Sequence, residues 1–306
     1  MSRRSTCENA CPTPPPDARA VSTVLDVTVC LLLVSASVLT FVAVSPPEPI
    51  ERSSAADAAT LLAGTTATVN YSLSPDVGDA EPLLGRSSST AGTATRRTAH
   101  GSVASLLARA ALANATVDGR RLSASGGEFA TAVGNASRAR LRVVEGEWQV
   151  AATWRPTPGG PVEGRATVGA PPPPGVDVHA ATLRVPVAPH PRLVSGSWRT
   201  VSADAAAATV RTLFPPDESH LALLADPPTD RVTALRYHRS AAALGADLDG
   251  TVAEAATHRA NQRLAAALAP RLERSLRQTY ETPAAAALAL SSSLTTVVVT
   301  VRTWSA

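Results

Sequence analysis

Lysine is missing from this 306-residue sequence; all 28 of its basic residues are arginine, and Ile50 is the one isoleucine. Such a bias fits a GC-rich genome and says little about mechanism. Aromatic residues stand at only 3%, so alanine has to fill much of any core. Charged residues are 17% against 44% hydrophobic, which excludes a disordered acidic tail. The net charge is +3 and no stretch strings together enough arginines for a basic arm, so no nucleic-acid partner is expected. Cysteine is confined to Cys7, Cys11 and Cys30. The thiol-free remainder is therefore neither a disulfide-stapled scaffold nor a cysteine-ligated metal domain. Cys7 and Cys11 lack the further Cys or His that would complete four zinc ligands.

Signatures of catalysis are missing too. There is no GxGxxG, Walker A loop, HExxH or GxSxG. The six histidines (His100, His179, His190, His220, His238 and His258) are isolated from one another and from carboxylate-rich stretches. Asp247 and Asp249 in GADLDG resemble a fragment of a calcium loop, but the rest of that pattern is absent and a plain turn is expected. The sequence thus assigns no catalytic residue, metal site or cofactor, and enzyme activity is not expected.

What is present begins with one long apolar run, Val21–Val44. As a helix it would rise roughly 36 Å, enough for a hydrocarbon core of about 30 Å. Asp26 lies near its N-terminal end, and Pro46 and Pro47 would stop it. Arg3, Arg4 and Arg19 precede the run and only Arg52 closely follows it. The reading is a cytoplasmic Pro-rich arm over 1–20, a transmembrane helix over 21–44 embedded in the lipid bilayer, and an extracellular domain over 45–306. A cleaved signal peptide is the competing interpretation.

Beyond the run, periodicity predicts helices over 51–64, 101–115, 128–141, 200–214, 231–244 and 251–280. Alternation predicts strands over 65–73, 143–154, 162–168 and 176–187. Pro270 should kink or split the last of these helices. The uncharged stretch 284–301 reads as a short helix leading into a closing strand, and Pro171–Pro174 as a stiff connector, with a possible sub-boundary at 171–175. The fold class expected is α+β, with a single N-terminal transmembrane helix before the mixed domain. Three sequons, at Asn70, Asn114 and Asn135, are candidate N-glycosylation sites on an external surface.

Arg19-Ala20-Val21-Ser22, followed by Thr23-Val24-Leu25-Asp26 and the apolar run, resembles the class III signal of archaeal type IV pilin-like proteins and of tight-adherence pseudopilins. That resemblance implies leader cleavage after Ala20 or Val21, with Asp26 as an assembly residue five or six positions into the mature chain. More broadly, STVLD (Ser22–Asp26), ATVNYSL (Ala67–Leu73), PPPGVDVHAATLRVP (Pro172–Pro186), LAPRLERSLR (Leu268–Arg277) and VRTW (Val301–Trp304) resemble a haloarchaeal family of single-pass membrane proteins. The resemblance carries no activity; it implies pilus or secretion-system membrane proteins as partners. The leading expectation is a membrane-anchored, pilin-like assembly component of an archaeal surface or secretion apparatus. The alternative is a cell-surface binding module on a passive anchor.

Overall fold

A computed structural model describes residues 27–32, 54–73, 95–123 and 126–305. The chain divides into two units, Met1–Glu51 and Arg52–Ala306. In the first, residues 27–32 are helical and exposed. Among the described residues no helix is long and apolar enough to cross a membrane. The expected fold class is corrected accordingly: the described residues are α+β, and no transmembrane helix is found among them; the rest of 21–44 lies outside the described residues.

The second unit is built on a six-stranded sheet. Its strands are β3 (Thr116–Val117), β4 (Arg120–Arg121), β5 (Glu147–Trp154), β6 (Val162–Val168), β7 (His179–Pro186) and β8 (Thr296–Trp304), in the order β4-β3-β6-β5-β8-β7. Every neighbouring pair is antiparallel. The C-terminal strand β8 lies between β5 and β7, so the sheet cannot close until the whole helical segment between β7 and β8 has been made.

Register explains why one face is dry. Val168, Val150, Val301 and Ala181 stand in one cross-strand row, and Ala166, Ala152, Val299 and Leu183 in the next. The alternate positions Thr167, Ala151, Thr300 and Thr182 form a row on the opposite face, where Arg302 reaches across to Gln149 Oε1 at 3.2 Å. A period of two delivers each set to a single side.

The dry face is covered by α1 (Ser54–Gly64), which packs on β7 and β8, and by α2 (Val103–Ala113), which packs on β5, β6 and β8. Ser102 caps α2, its hydroxyl accepting from the Ser105 N–H at 3.2 Å. Small residues let α2 approach closely: a Cβ on Gly164 would lie 2.5 Å from the Ala111 carbonyl oxygen, so the helix backbone rests on the β6 backbone. Outside α2 lies α3 (Gly126–Leu141), which also packs on β1 (Thr66–Leu73). That strand forms a separate antiparallel pair with β2 (Thr95–Ser102), from Thr66↔Ser102 to Leu73↔Thr95.

Between β7 and β8 come α4 (Trp198–Leu213), α5 (Pro216–Leu224), α6 (Thr229–Leu244), α7 (Thr257–Thr279) and α8 (Pro283–Ser293). The stripe Ala260, Leu264, Leu268, Leu272 and Leu276 of α7 is buried, chiefly against α4. Pro270 does not split this segment, and α7 runs through it as one helix. Both Pro270 and Ala266, whose carbonyl the proline leaves without an N–H partner, are exposed, so water can serve that carbonyl. Three bonds join this layer to loops at one end of the sheet. Ser275 donates to the Pro158 carbonyl at 2.7 Å, Ser293 to the Pro156 carbonyl at 3.0 Å, and Arg271 to Asp118 at 2.6 Å.

A polar cluster lies inside the helical layer. The Tyr237 hydroxyl donates to Asn261 Oδ1 at 2.9 Å, and Asn261 Nδ2 donates to the Phe214 carbonyl at 2.8 Å. Phe214 stacks on Tyr237 at 4.2 Å, and the Arg236 guanidinium lies over the Phe214 ring at 5.2 Å. Burial pushes the Tyr237 hydroxyl up from 10.0 to about 12 and holds the His238 imidazole below its usual 6.5; His238 Nε2 is buried without a hydrogen-bond partner. Both groups are therefore kept neutral by the fold. Tyr237 contributes stability that is complete below pH about 10 and is lost as pH rises toward about 12. His238 contributes stability that is complete above pH about 6.5 and is lost as pH falls below it. Urea midpoints measured against pH should form a plateau between those limits, with the acid shoulder flattened in His238→Gln and the alkaline shoulder flattened in Tyr237→Phe. Unchanged shoulders in both variants would refute this assignment.

Candidate functional site

The residues singled out in the sequence do not converge. Asp26, Ala20 and Val21 lie outside the described residues. Among the described residues no group of three His, Cys, Asp or Glu side chains could hold a metal ion. His100 bonds Thr68, His190 bonds Thr295, and His220 Nδ1 bonds the Ala255 carbonyl, each at 2.9 Å. Asp247 accepts from the Asp249 N–H at 2.9 Å, which makes GADLDG a turn.

The three sequons do gather around one helix. Asn70, exposed on β1, and Asn135, exposed on α3, line a common hollow of about 500 Å³ together with Tyr71 and Glu128. Asn70 Oδ1 accepts from the Thr98 hydroxyl at 2.7 Å. The Asn135 sequon is locked into α3, since Ser137 is buried and donates to the Val133 carbonyl at 2.9 Å. Asn114 is half-buried at the C-terminal cap of α2 and faces a second hollow on the other flank of α3.

That second hollow is the feature with chemical character. It is an open groove of about 470 Å³ between α3, the end of α2 and β6. Arg121 on β4, Arg138 on α3 and Arg165 on β6 line it, interspersed with Asn114, Thr131 and Thr167. Among the described residues no aspartate or glutamate lines it. The nearby carboxylates are engaged elsewhere: Glu163 pairs with Arg155 at 3.0 Å and Asp118 with Arg271 at 2.6 Å. Of the three groove arginines, Arg138 donates to a neutral acceptor, Asn135 Oδ1, at 3.0 Å, and none takes part in an ion pair among the described residues.

Two local choices create the space. Strand β3 ends after pairing with Val162 and Glu163, so β6 continues past it with an uncovered edge from Gly164 to Val168. Gly134 presents no side chain at the helix wall; its nearest β6 atom, Val168 Cγ2, would lie 3.7 Å from an added Cβ. That distance is ordinary contact, so Gly134→Ala should raise stability by about 0.5–1 kcal/mol through helix propensity. Thermal denaturation checks this, and a lower midpoint would show that α3 sits closer to β6 than stated.

The groove was not legible beforehand, because its arginines come from three elements spread over more than forty residues and belong to no motif. Three guanidiniums facing one cavity with no counter-charge can hold a carboxylate, phosphate or sulfate through charge-assisted hydrogen bonds. A family described as being of unknown function, DUF7284, has a model that matches residues 25–304 of the chain. No curated protein and no solved structure matches it.

Proposed function

We propose, for a chain that belongs to the DUF7284 family, that it is a non-catalytic binding module seating an anionic ligand in the arginine groove between α3 and β6. The observation that carries this reading is the lining itself: Arg121, Arg138 and Arg165 line one groove, and among the described residues no acidic side chain lines it with them. A cavity with one sign of charge and partly apolar walls concentrates counter-ions of the other sign. Its floor and helix wall, formed by residues such as Leu107, Ala130 and Val168, give a ligand apolar contact as well.

The test is calorimetric titration of the purified protein with inorganic phosphate, succinate and a short oligoglutamate at low ionic strength. Saturable binding of at least one probe, weakened at least about tenfold in the Arg121→Ala/Arg138→Ala/Arg165→Ala variant, is the expected result. Absence of binding by all three probes overturns the reading. External placement belongs to the same proposal and is supported by the exposed asparagines of two sequons, Asn70 and Asn135. The intact mass of the protein from its native source should then exceed the sequence mass by sugar increments. Unmodified Asn70, Asn114 and Asn135 would withdraw that support.

A further inference from the structure

The uncovered part of β6 adds a second kind of recognition to the groove. The Asp118 N–H donates to the Pro161 carbonyl at 2.8 Å, and the Thr116 hydroxyl donates to the Glu163 carbonyl at 3.2 Å. The main-chain groups of Pro161 and Glu163 therefore point toward β3. Along a strand, the main-chain groups of every second residue point to the same side. Those of Arg165 and Thr167 thus point the same way, but past the end of β3, where no strand of the described residues pairs with them. Among the described residues no hydrogen bond to a main-chain group of Arg165 or Thr167 comes from that side.

The edge left open, Gly164 to Val168, is roughly 16 Å long at about 3.3 Å per residue. Exposed sheet edges of this kind are a liability unless they are covered or used. Here the edge does not stand free in solvent; it forms one wall of the groove, with α3 as the other. Arginines stand along it: Arg165 on the edge strand, Arg138 on the helix wall and Arg121 on β4 at the sheet end.

We infer that the groove takes an extended acidic peptide segment, which adds to β6 as a strand in line with β3 and sets its carboxylates against Arg121, Arg138 and Arg165. The inference rests on the anion-binding reading above and specifies its ligand. Main-chain bonds to Arg165 and Thr167 would supply affinity independent of side chains, and the arginines would select acidic residues. Charge complementarity picks this occupant: a neutral or basic strand would leave the three guanidiniums without a counter-charge. A small dianion would satisfy the charges but leave the strand edge unused.

The experiment uses the full chain and an alternating Asp/Thr heptapeptide with blocked ends. Two further peptides carry backbone N-methyl groups on alternate residues, one in each phase. N-methylation removes the donors that face β6 in one phase and the donors that face away in the other. The expected result is that one methylated peptide loses at least about tenfold in affinity while the other binds like the parent. Thr167→Pro offers a second readout, since it removes an N–H that points into the groove and not toward β5; the parent peptide should weaken and the circular dichroism spectrum should persist. Equal binding of all three peptides overturns strand addition while leaving anion binding in place. Tighter binding of a polyphosphate or an acidic oligosaccharide than of the parent peptide overturns the peptide assignment. If the heptapeptide, phosphate, succinate and oligoglutamate all fail to bind, the underlying reading falls with it.

Discussion

Trp154→Ala is expected to cost about 4–8 kcal/mol and to bring the protein close to unfolding. Trp154 ends β5 and is fully buried on the dry face of the sheet. Its indole N–H donates to the Leu294 carbonyl at 3.1 Å, at the junction between α8 and β8. Truncation leaves a cavity in a core whose other members are mostly alanine, valine and leucine, and such small side chains cannot swing in to fill it. Large-to-small changes at aromatic sites cost about 3–5 kcal/mol, and the buried carbonyl left without its donor adds about 1–3 kcal/mol. Against a typical stability of about 5–15 kcal/mol, that is most of the margin. Trp154→Phe keeps much of the volume and loses the bond, so it should fall between wild type and alanine. Urea denaturation followed by circular dichroism orders the three; a wild-type midpoint for Trp154→Ala would mean that the β5–β8 contact does not hold the fold together.

The second large effect concerns binding. Arg138→Glu/Arg165→Glu should reduce the affinity for a short oligoglutamate by about a thousandfold at low salt while leaving the unfolding midpoint almost unchanged. Two unit charges about 4 Å apart interact by about 1 kcal/mol in water. Reversing one partner turns attraction into repulsion, so each site changes by about 2 kcal/mol and the pair by about 4 kcal/mol, or three decades. Stability is spared because both side chains are exposed and neither is in an ion pair among the described residues. The penalty should shrink as salt is raised from about 0.1 M to 1 M, since the screening length falls from about 10 to 3 Å. A salt-independent loss, or one accompanied by a large drop in the unfolding midpoint, would point to a structural defect and away from a lost anion contact.

The two predictions lie on different links of the same chain. The first probes how an alanine-rich sequence makes a core: close backbone approach, as where Gly164 meets α2, with a few large side chains such as Trp154 closing the remaining space. The second probes what that core leaves at its margin. Because β3 stops two residues along β6, and because α3 carries Gly134 where it passes the edge, packing ends in a groove.

Local pattern was enough to place most of the elements. The four-residue stripe from Ala260 to Leu276 became the buried face of α7, and the β-branched run at the C-terminus became β8, because periods of about 3.6 and 2 are properties of the chain itself. The turn at Asp247–Asp249 was equally local. Where a partner supplied the deciding term, pattern misled. Periodicity predicted a helix over 101–115 but not that α2 would be buried on several sides, by the sheet, α1 and α3. Strand β2 forms in a stretch for which alternation predicted no strand, because pairing with β1 compensates for a polar sequence. Pro270 was expected to kink or split the helix; it does not split it, and solvent on that side of α7 can serve the carbonyl left over. The membrane-crossing helix read from the apolar run is not found among the described residues, which include only 27–32 of it. The groove lies at the far end of this scale. Arg121, Arg138 and Arg165 are unremarkable in sequence, and only long-range pairing and the early end of β3 bring them to one cavity beside an unpaired strand edge. Periodicity is written into neighbouring residues, whereas a binding surface is made where distant segments stop covering one another.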